Sequence, residues 1–312
     1  MLDPQLRDLL AFAKASGAPG LADLPVPACR AFYRELLAAT DLREAADVQV
    51  DLRQIDGPGG PLPLRVYTPR DAPAGPRGLV LYLHGGGFAL GDVACYDQVL
   101  SHWCEQADVV IVAVDYRLAP EHPFPAAVDD ARAALAWAMA QAAALTADPS
   151  RVAVVGDSAG GNLAAGLALW ARDQGLSLRY QVLLYPVLAE QPGGFPSYER
   201  CATGYVLTRR DTEHFWQLYA GAAGAAWDWR GAPLTAPSVA GVAPALVLVG
   251  GYDVLRDEAV AYAGRLCEAD VQATLVEYAG LSHGFINMAG ALTAARLALE
   301  QVGAALRMAL KS

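Results

Sequence analysis

No Cys-x-x-Cys pair occurs in this chain of 312 residues, and its five cysteines (Cys29, Cys95, Cys104, Cys201 and Cys267) are scattered and odd in number. That spacing suggests neither a disulfide framework nor a metal site, so free thiols in a reducing compartment are expected. Basic charge is also in short supply. Lys and Arg total 23 against 33 Asp and Glu, for a formal net charge of −10. The balance removes any electrostatic case for binding nucleic acid or an anionic membrane surface. Long apolar runs are missing as well: residues 133–147 are uncharged but alanine-rich, and residues 231–252 are broken by Pro and Gly. Neither reads as a membrane span. Asp3 and Asp8 stand where a signal peptide would carry basic residues, so a soluble cytoplasmic protein is expected. There is no internal repeat and no low-complexity segment.

What the chain does have is apolar content, 54% of residues against 18% charged, which is the composition of an ordered globular protein. Its first 45 residues show two helical patterns, one with Leu6, Leu9, Leu10 and Ala13 on a face, the other with Cys29, Phe32, Leu36 and Leu37. From Val48 the period becomes two, and two alternating runs around the Gly57–Pro61 turn predict a hairpin. Gly78–Leu83 is continuously apolar, as a strand buried on both faces should be. Helices over 94–107 and about 125–144 then alternate with strands at 108–114, 151–155 and 180–184. Such alternation predicts a largely parallel sheet flanked by helices. About sixty residues without a strand come next, up to the run Ala245–Val249. They contain a helix start at Thr208-x-x-Asp211 and the aromatics Phe215, Trp216, Tyr219, Trp227 and Trp229. A structureless loop of that length is unusual, so the stretch is expected to be a helical insertion capping the sheet's carboxyl edge. A helix at 257–268, a strand at 272–278 and a last helix at about 291–308 complete the sheet. The expected division is N-terminal cap helices 1–45, core 46–188, cap insertion 189–235 and core 236–312.

Gly156-Asp-Ser158-Ala-Gly160 lies between the apolar run 151–155 and the small-residue helix 162–170. Strand, Gly-x-Ser-x-Gly turn and helix describe a nucleophile elbow, in which the serine occupies a strained corner with its hydroxyl exposed. The pattern occurs twice, the second time at Gly280-Leu-Ser282-His-Gly284. Ser282 precedes no tight small-residue helix and has no histidine beyond residue 283 to serve it, so Ser158 is the expected nucleophile. A serine hydroxyl needs a base, and the base a third group to orient it. Of the five histidines, only His283 falls after the last strand, where the order serine, acid, histidine requires it. Asp253, just past the strand ending at Gly251, is the expected acid, although the same position would also suit a helix N-cap. Asp257 and Glu258 are the runners-up. His84-Gly85-Gly86-Gly87-Phe88 comes directly after the strand ending at Leu83 and exposes amides suited to an oxyanion. No lysine is placed to make it a phosphate loop. Two of Gly85, Gly86 and Gly87, with Gly86 and Gly87 placed first, plus the Ala159 amide are the expected donors.

These segments, with Asp115-Tyr-Arg-Leu-Ala-Pro-Glu-His-Pro-Phe-Pro-Ala126, Asp253-Val-Leu-Arg-Asp-Glu258 and His283-Gly-Phe285, resemble the hormone-sensitive-lipase family of α/β-hydrolases, the bacterial family IV carboxylesterases. The resemblance covers residues from about 45 to the end. It implies the α/β-hydrolase fold, a Ser158–His283–Asp253 triad, a helical cap, no metal or other cofactor, and hydrolysis of short-chain acyl esters. It leaves a homodimer open. Val254 departs from the family pattern, which has proline after the acid. Arg117, Glu121, Asp129 and Asp130 also match and are expected to form one structural polar network, with His122 structural too. The triad alone does not separate an esterase from an arylformamidase, a lactonase or a deacetylase, since the pocket chooses the leaving group. A non-catalytic small-molecule receptor of this fold would lack the histidine.

Overall fold

Among the described residues, eight strands form one sheet in the order β1-β2-β4-β3-β5-β6-β7-β8. The computed structural model describes residues 1–43, 46–70, 75–221 and 228–311. β1 (Val48–Gly57) and β2 (Gly60–Pro69) make the expected hairpin, and β2 runs antiparallel to β4 (Val109–Val114). All other pairings, among β3 (Arg77–Leu83), β4, β5 (Ala147–Asp157), β6 (Tyr180–Leu184), β7 (Ala245–Tyr252) and β8 (Ala273–Ser282), are parallel. The continuous apolar run of β3 has a direct explanation. Leu79, Leu81 and Leu83 enter the core on one face, while Val80 and Tyr82 enter a second core on the other. Both faces are covered, so neither set of alternating residues can be polar.

The first core lies under α4 (Ala126–Ala140), α5 (Ala159–Asp173) and α8 (Arg256–Glu268); the second lies under α3 (Asp97–Ala107) and α9 (Thr293–Ala309). α4 is shorter than the periodicity suggested, since residues 141–146 turn before β5 begins. α1 (Pro4–Ala15) is capped by Asp3, whose carboxylate accepts from the Gln5 and Leu6 amides. It buries Leu6 against the α9 side of the sheet, and Gln5 receives a hydrogen bond from the Thr293 amide. α2 (Val26–Thr40) buries Cys29 and Leu37, with Tyr33 between them hydrogen-bonded to Tyr96 at 3.3 Å. The buried stripe is thus Cys29, Tyr33 and Leu37, four residues apart, and the expected Leu36 points outward.

Between β6 and β7 lie α6 (Pro196–Arg200) and α7 (Arg209–Ala220), and the described residues there hold no strand. α7 opens with a full capping box, in which Thr208 and Asp211 each accept from the other's backbone amide. Both legs of this insertion are tied to α5. The Asn162 carboxamide donates to Val187 and Gly231 carbonyls, at 2.8 Å each. Among the described residues, no helix is long and apolar enough to cross a membrane.

Candidate active site

The glycine loop and three polar side chains meet at the carboxyl edge of the parallel strands, and each arrives by the same device. Ser158 is the first residue after β5, Asp253 the first after β7, and His283 the first after β8. His84 likewise comes straight after β3. In a parallel sheet those ends share one edge, which brings Ser158 and His283 together across 125 positions.

Ser158 sits at φ 55° and ψ −116°, a conformation that costs a non-glycine residue about 1–3 kcal/mol and needs rigid surroundings. Those surroundings are close. A Cβ at Gly160 would lie 1.9 Å from the Leu83 carbonyl oxygen, and one at Gly156 would lie 2.1 Å from that of Gly160. Only glycine lets α5 approach β3 and β5 so nearly. The Ser158 amide donates to the Leu184 carbonyl at 2.8 Å, and α5 begins at the next residue. His283 Nε2 is 2.9 Å from Ser158 Oγ, and His283 Nδ1 is 2.8 Å from Asp253 Oδ2. Asp253 is 1% exposed, and its other oxygen accepts from the Leu255 amide at 2.9 Å. The N-cap alternative does not hold: Leu255 is the N-cap of α8 and no side chain caps that helix, while Asp253 faces the imidazole and only braces the turn that precedes α8. Asp257 and Glu258 turn elsewhere, to the Ser197 and Ala189 amides respectively. Ser158 is 9% exposed, so the elbow serine is covered rather than open to solvent.

The glycine loop is held from beneath by Asp157, which accepts from the Gly85 amide at 2.8 Å and the Tyr82 hydroxyl at 2.7 Å. Burial pushes the pKa of this carboxyl above the usual carboxylate range, and the Tyr82 hydrogen bond pulls against that. Gly85 is thereby removed from the candidate oxyanion donors, because its N–H is already committed. Among the described residues, the Gly86, Gly87 and Ala159 amides have no acceptor within the protein. His84 is occupied structurally, stacked on Tyr116 with ring centroids 4.4 Å apart.

The aromatics of the insertion divide: Phe195, Tyr198 and Tyr205 gather in a small cluster with Cys201, Leu207, Val254 and Leu255, while Phe215, Tyr219 and Trp229 pack on the body of the molecule. Phe215 packs on Ala89 and Leu90 and lies so close to Gly87 that a Cβ there would meet its ring at 2.5 Å. Tyr219 stacks on Phe88 with centroids 3.7 Å apart, and Trp229 joins the core beneath the sheet. Trp216 donates to the Glu190 carbonyl. Trp227 lies outside the described residues. The expected single polar network also separates into three pairs: Arg117 with Asp130, Arg30 with Glu121, and Arg132 with Asp129. His122 is exposed. Arg30 was not legible as part of the site, since its partners lie 59 or more positions away.

Comparison with known proteins places the fold and the family. A family model described as alpha/beta hydrolase fold matches residues 80–287. Carboxylic ester hydrolase LipN of Mycobacterium tuberculosis is 40% identical over 297 residues, 92% of this chain and 77% of that protein. Ethyl acetate hydrolase of Pseudomonas putida is 36% identical over 98% of both chains. Among solved structures, ester hydrolase EH1AB1 from the metagenome of Lake Arreo, complexed with a bipyridine phosphonate derivative, superposes with a TM-score of 0.94. It is 35% identical, with 99% of each chain covered. A thermostable esterase from Pseudomonas putida gives the same TM-score at 32% identity, covering 100% of this chain and 98% of that one.

Proposed function

This chain belongs to the hormone-sensitive-lipase-like family of alpha/beta hydrolases, and from that footing we propose that it is a serine carboxylesterase working through an acyl-enzyme on short-chain esters. The observation that carries the reading is the unbroken hydrogen-bonded series from Asp253 through His283 to Ser158. In the proposed mechanism His283 Nε2 takes the proton from Ser158 Oγ as the oxygen attacks the ester carbonyl. Asp253 holds the ring so that Nδ1 keeps its proton and Nε2 is free to accept, and it offsets the positive charge that then develops. The Gly86, Gly87 and Ala159 amides receive the oxyanion, each worth about 3 kcal/mol in such a role. His283 returns the proton to the departing alcohol, and water repeats the sequence on the acyl-serine.

Several features support the short-chain part of this reading. Ser158 and His283 are each below 10% exposed, and Phe215 sits directly above Gly87, so little room is left for a long acyl group. Ethyl acetate is also the substrate in the name of one relative. The five unpaired thiols suit a cytoplasmic location.

The test is hydrolysis of p-nitrophenyl acetate and butyrate, together with covalent labelling by an aryl phosphonate. Ser158→Ala should lower turnover by about 10⁴-fold or more and abolish the label. A labelled, active Ser158→Ala enzyme, or wild-type turnover that climbs steadily towards palmitate, refutes the corresponding half of the proposal.

A further inference from the structure

The glycine loop cannot hold its own shape. Gly86, Gly87 and Phe88 stand consecutively at φ 113°, 60° and 60°, and such backbone persists only where its surroundings over-determine it. From the core side Asp157 anchors Gly85. On the far side of the loop the anchor is Arg30, which arrives on α2. Its Nε donates to the Ala89 carbonyl at 2.8 Å and its Nη2 to the Ala119 carbonyl at 3.0 Å. Ala119 in turn donates its amide to the Phe88 carbonyl at 2.8 Å, closing a ring of hydrogen bonds around the end of the loop. Glu121 receives both terminal nitrogens of Arg30, at 2.7 and 2.8 Å, and fixes the plane of the guanidinium.

We propose that Arg30 is a positioning residue for the oxyanion site, so that the N-terminal helices set the geometry of catalysis as well as covering the substrate. The inference rests on the proposed esterase mechanism, because it assumes that Gly86 and Gly87 meet the oxyanion. A guanidinium is required by geometry: three acceptors in different directions, two of them carbonyls, match its planar fork and not the point charge of a lysine. Removing it leaves α2 in place. Cys29 still packs on Phe215, and the Ala22 amide still donates to Asp211 at 2.9 Å. The expected loss is therefore one of alignment and not of the cap.

The test compares Arg30→Ala, Arg30→Lys and Glu121→Gln with wild type in kcat, KM and inhibition by an aryl trifluoromethyl ketone, whose hemiketal needs the same amides as the transition state. Arg30→Ala should lower kcat about 10- to 100-fold with KM changed less than about 3-fold, and weaken the ketone by a factor similar to the loss in kcat. Arg30→Lys should recover only part of this, and Glu121→Gln should lose least. Guanidinium at tens of millimolar should raise kcat of Arg30→Ala, whereas it would further weaken a variant that is merely unstable. Unchanged kcat in Arg30→Ala, or a loss expressed in KM with unaltered ketone affinity, overturns the proposal. Should Arg30→Ala not fold, Arg30→Lys decides by the same ratio of ketone affinity to kcat. Wild-type protein that neither turns over p-nitrophenyl esters nor takes the phosphonate label would sink the esterase reading itself, and this inference with it. An active, labelled wild type beside an equally active Arg30→Ala sinks the inference alone.

Discussion

Gly156–Gly160 and Gly280–Gly284 obey the same five-residue pattern, and both lie at the carboxyl end of a parallel strand in one sheet. Their third residues nevertheless end up in opposite situations. In the first stretch the strand stops at Asp157, and Ser158 takes the positive-φ corner itself, so its hydroxyl swings out to His283 at 2.9 Å. In the second the strand runs on through Ser282, and the corner is taken by Gly284 at φ 74°. Ser282 is left 1% exposed, accepting from the Val206 amide at 3.4 Å. The residue delivered to the site is its neighbour His283. A displacement of the turn by two residues thus converts a serine elbow into a histidine one. The pattern specifies small residues around a corner; the point where the strand stops, and the helix or turn beyond it, decide which side chain leaves that corner.

The comparison breaks most visibly at the fifth position. At Gly160 an added Cβ would sit 1.9 Å from the Leu83 carbonyl, so α5 would have to leave the sheet. At Gly284 the space is open and only the left-handed backbone resists. Gly160→Ala should cost about 3–5 kcal/mol of stability and remove activity, while Gly284→Ala should cost about 1–2 kcal/mol and still fold. Urea unfolding of both variants is the measurement. Equal midpoints for Gly160→Ala and wild type would mean that close helix–strand approach does not define the elbow.

A second difference lies in what supports each stretch. The first rests on Asp157 and the glycine loop; the second rests on the end of β7, where Gly250 abuts the Leu281 and Ser282 carbonyls just before the turn that carries Asp253. That turn leads into α8, whose Glu258 is fully buried, accepts from the Ala189 amide at 2.6 Å, and is pushed up to about 8 by burial. Below its ordinary value near 4.5, the carboxyl is neutral in both folded and unfolded chains. Between there and about 8 only the unfolded chain releases the proton, so stability falls as pH rises through this window and levels off above it. Glu258→Gln removes that contribution. The variant should gain on wild type between about pH 5 and about pH 8, by on the order of 3 kcal/mol at the upper end. Parallel stability-against-pH curves for the two proteins would show that the carboxyl is not held neutral.

Much of this was legible from residue order. Ser158, Asp253 and His283 stand out because each comes after a strand-like run, and a parallel sheet sends all such ends to one edge. The buried strands were legible because two-sided burial excludes polar residues from both faces. What escaped were contacts that depend on how separate segments dock. Gly85 reads like Gly86 and Gly87 until Asp157, 72 positions on, is seen to occupy its amide. Arg30 looks like any arginine on an amphipathic helix, and its three acceptors lie 59 to 91 positions away. Leu36 and Tyr33 both suit the inner face of α2, and the presence of Tyr96 opposite decides for Tyr33.

The smallest expected effect tests the comparison most directly. Among the described residues, Ser282 makes one long hydrogen bond, from the Val206 amide, and its hydroxyl meets no base. Deleting it costs about 1 kcal/mol or less, since a weak neutral hydrogen bond contributes little net stability and the vacated volume is a single oxygen. Ser282→Ala should therefore unfold within about 5 °C of wild type, turn over p-nitrophenyl butyrate within about 2-fold, and take up the phosphonate label in full. It should do so although it carries its substitution immediately beside His283. The peptide backbone of β8, and not the hydroxyl, places that imidazole, and the Tyr252–Ser282 register with β7 survives the change because it involves main-chain groups only. Loss of labelling in Ser282→Ala with labelling retained in Ser158→Ala would exchange the roles of the two stretches.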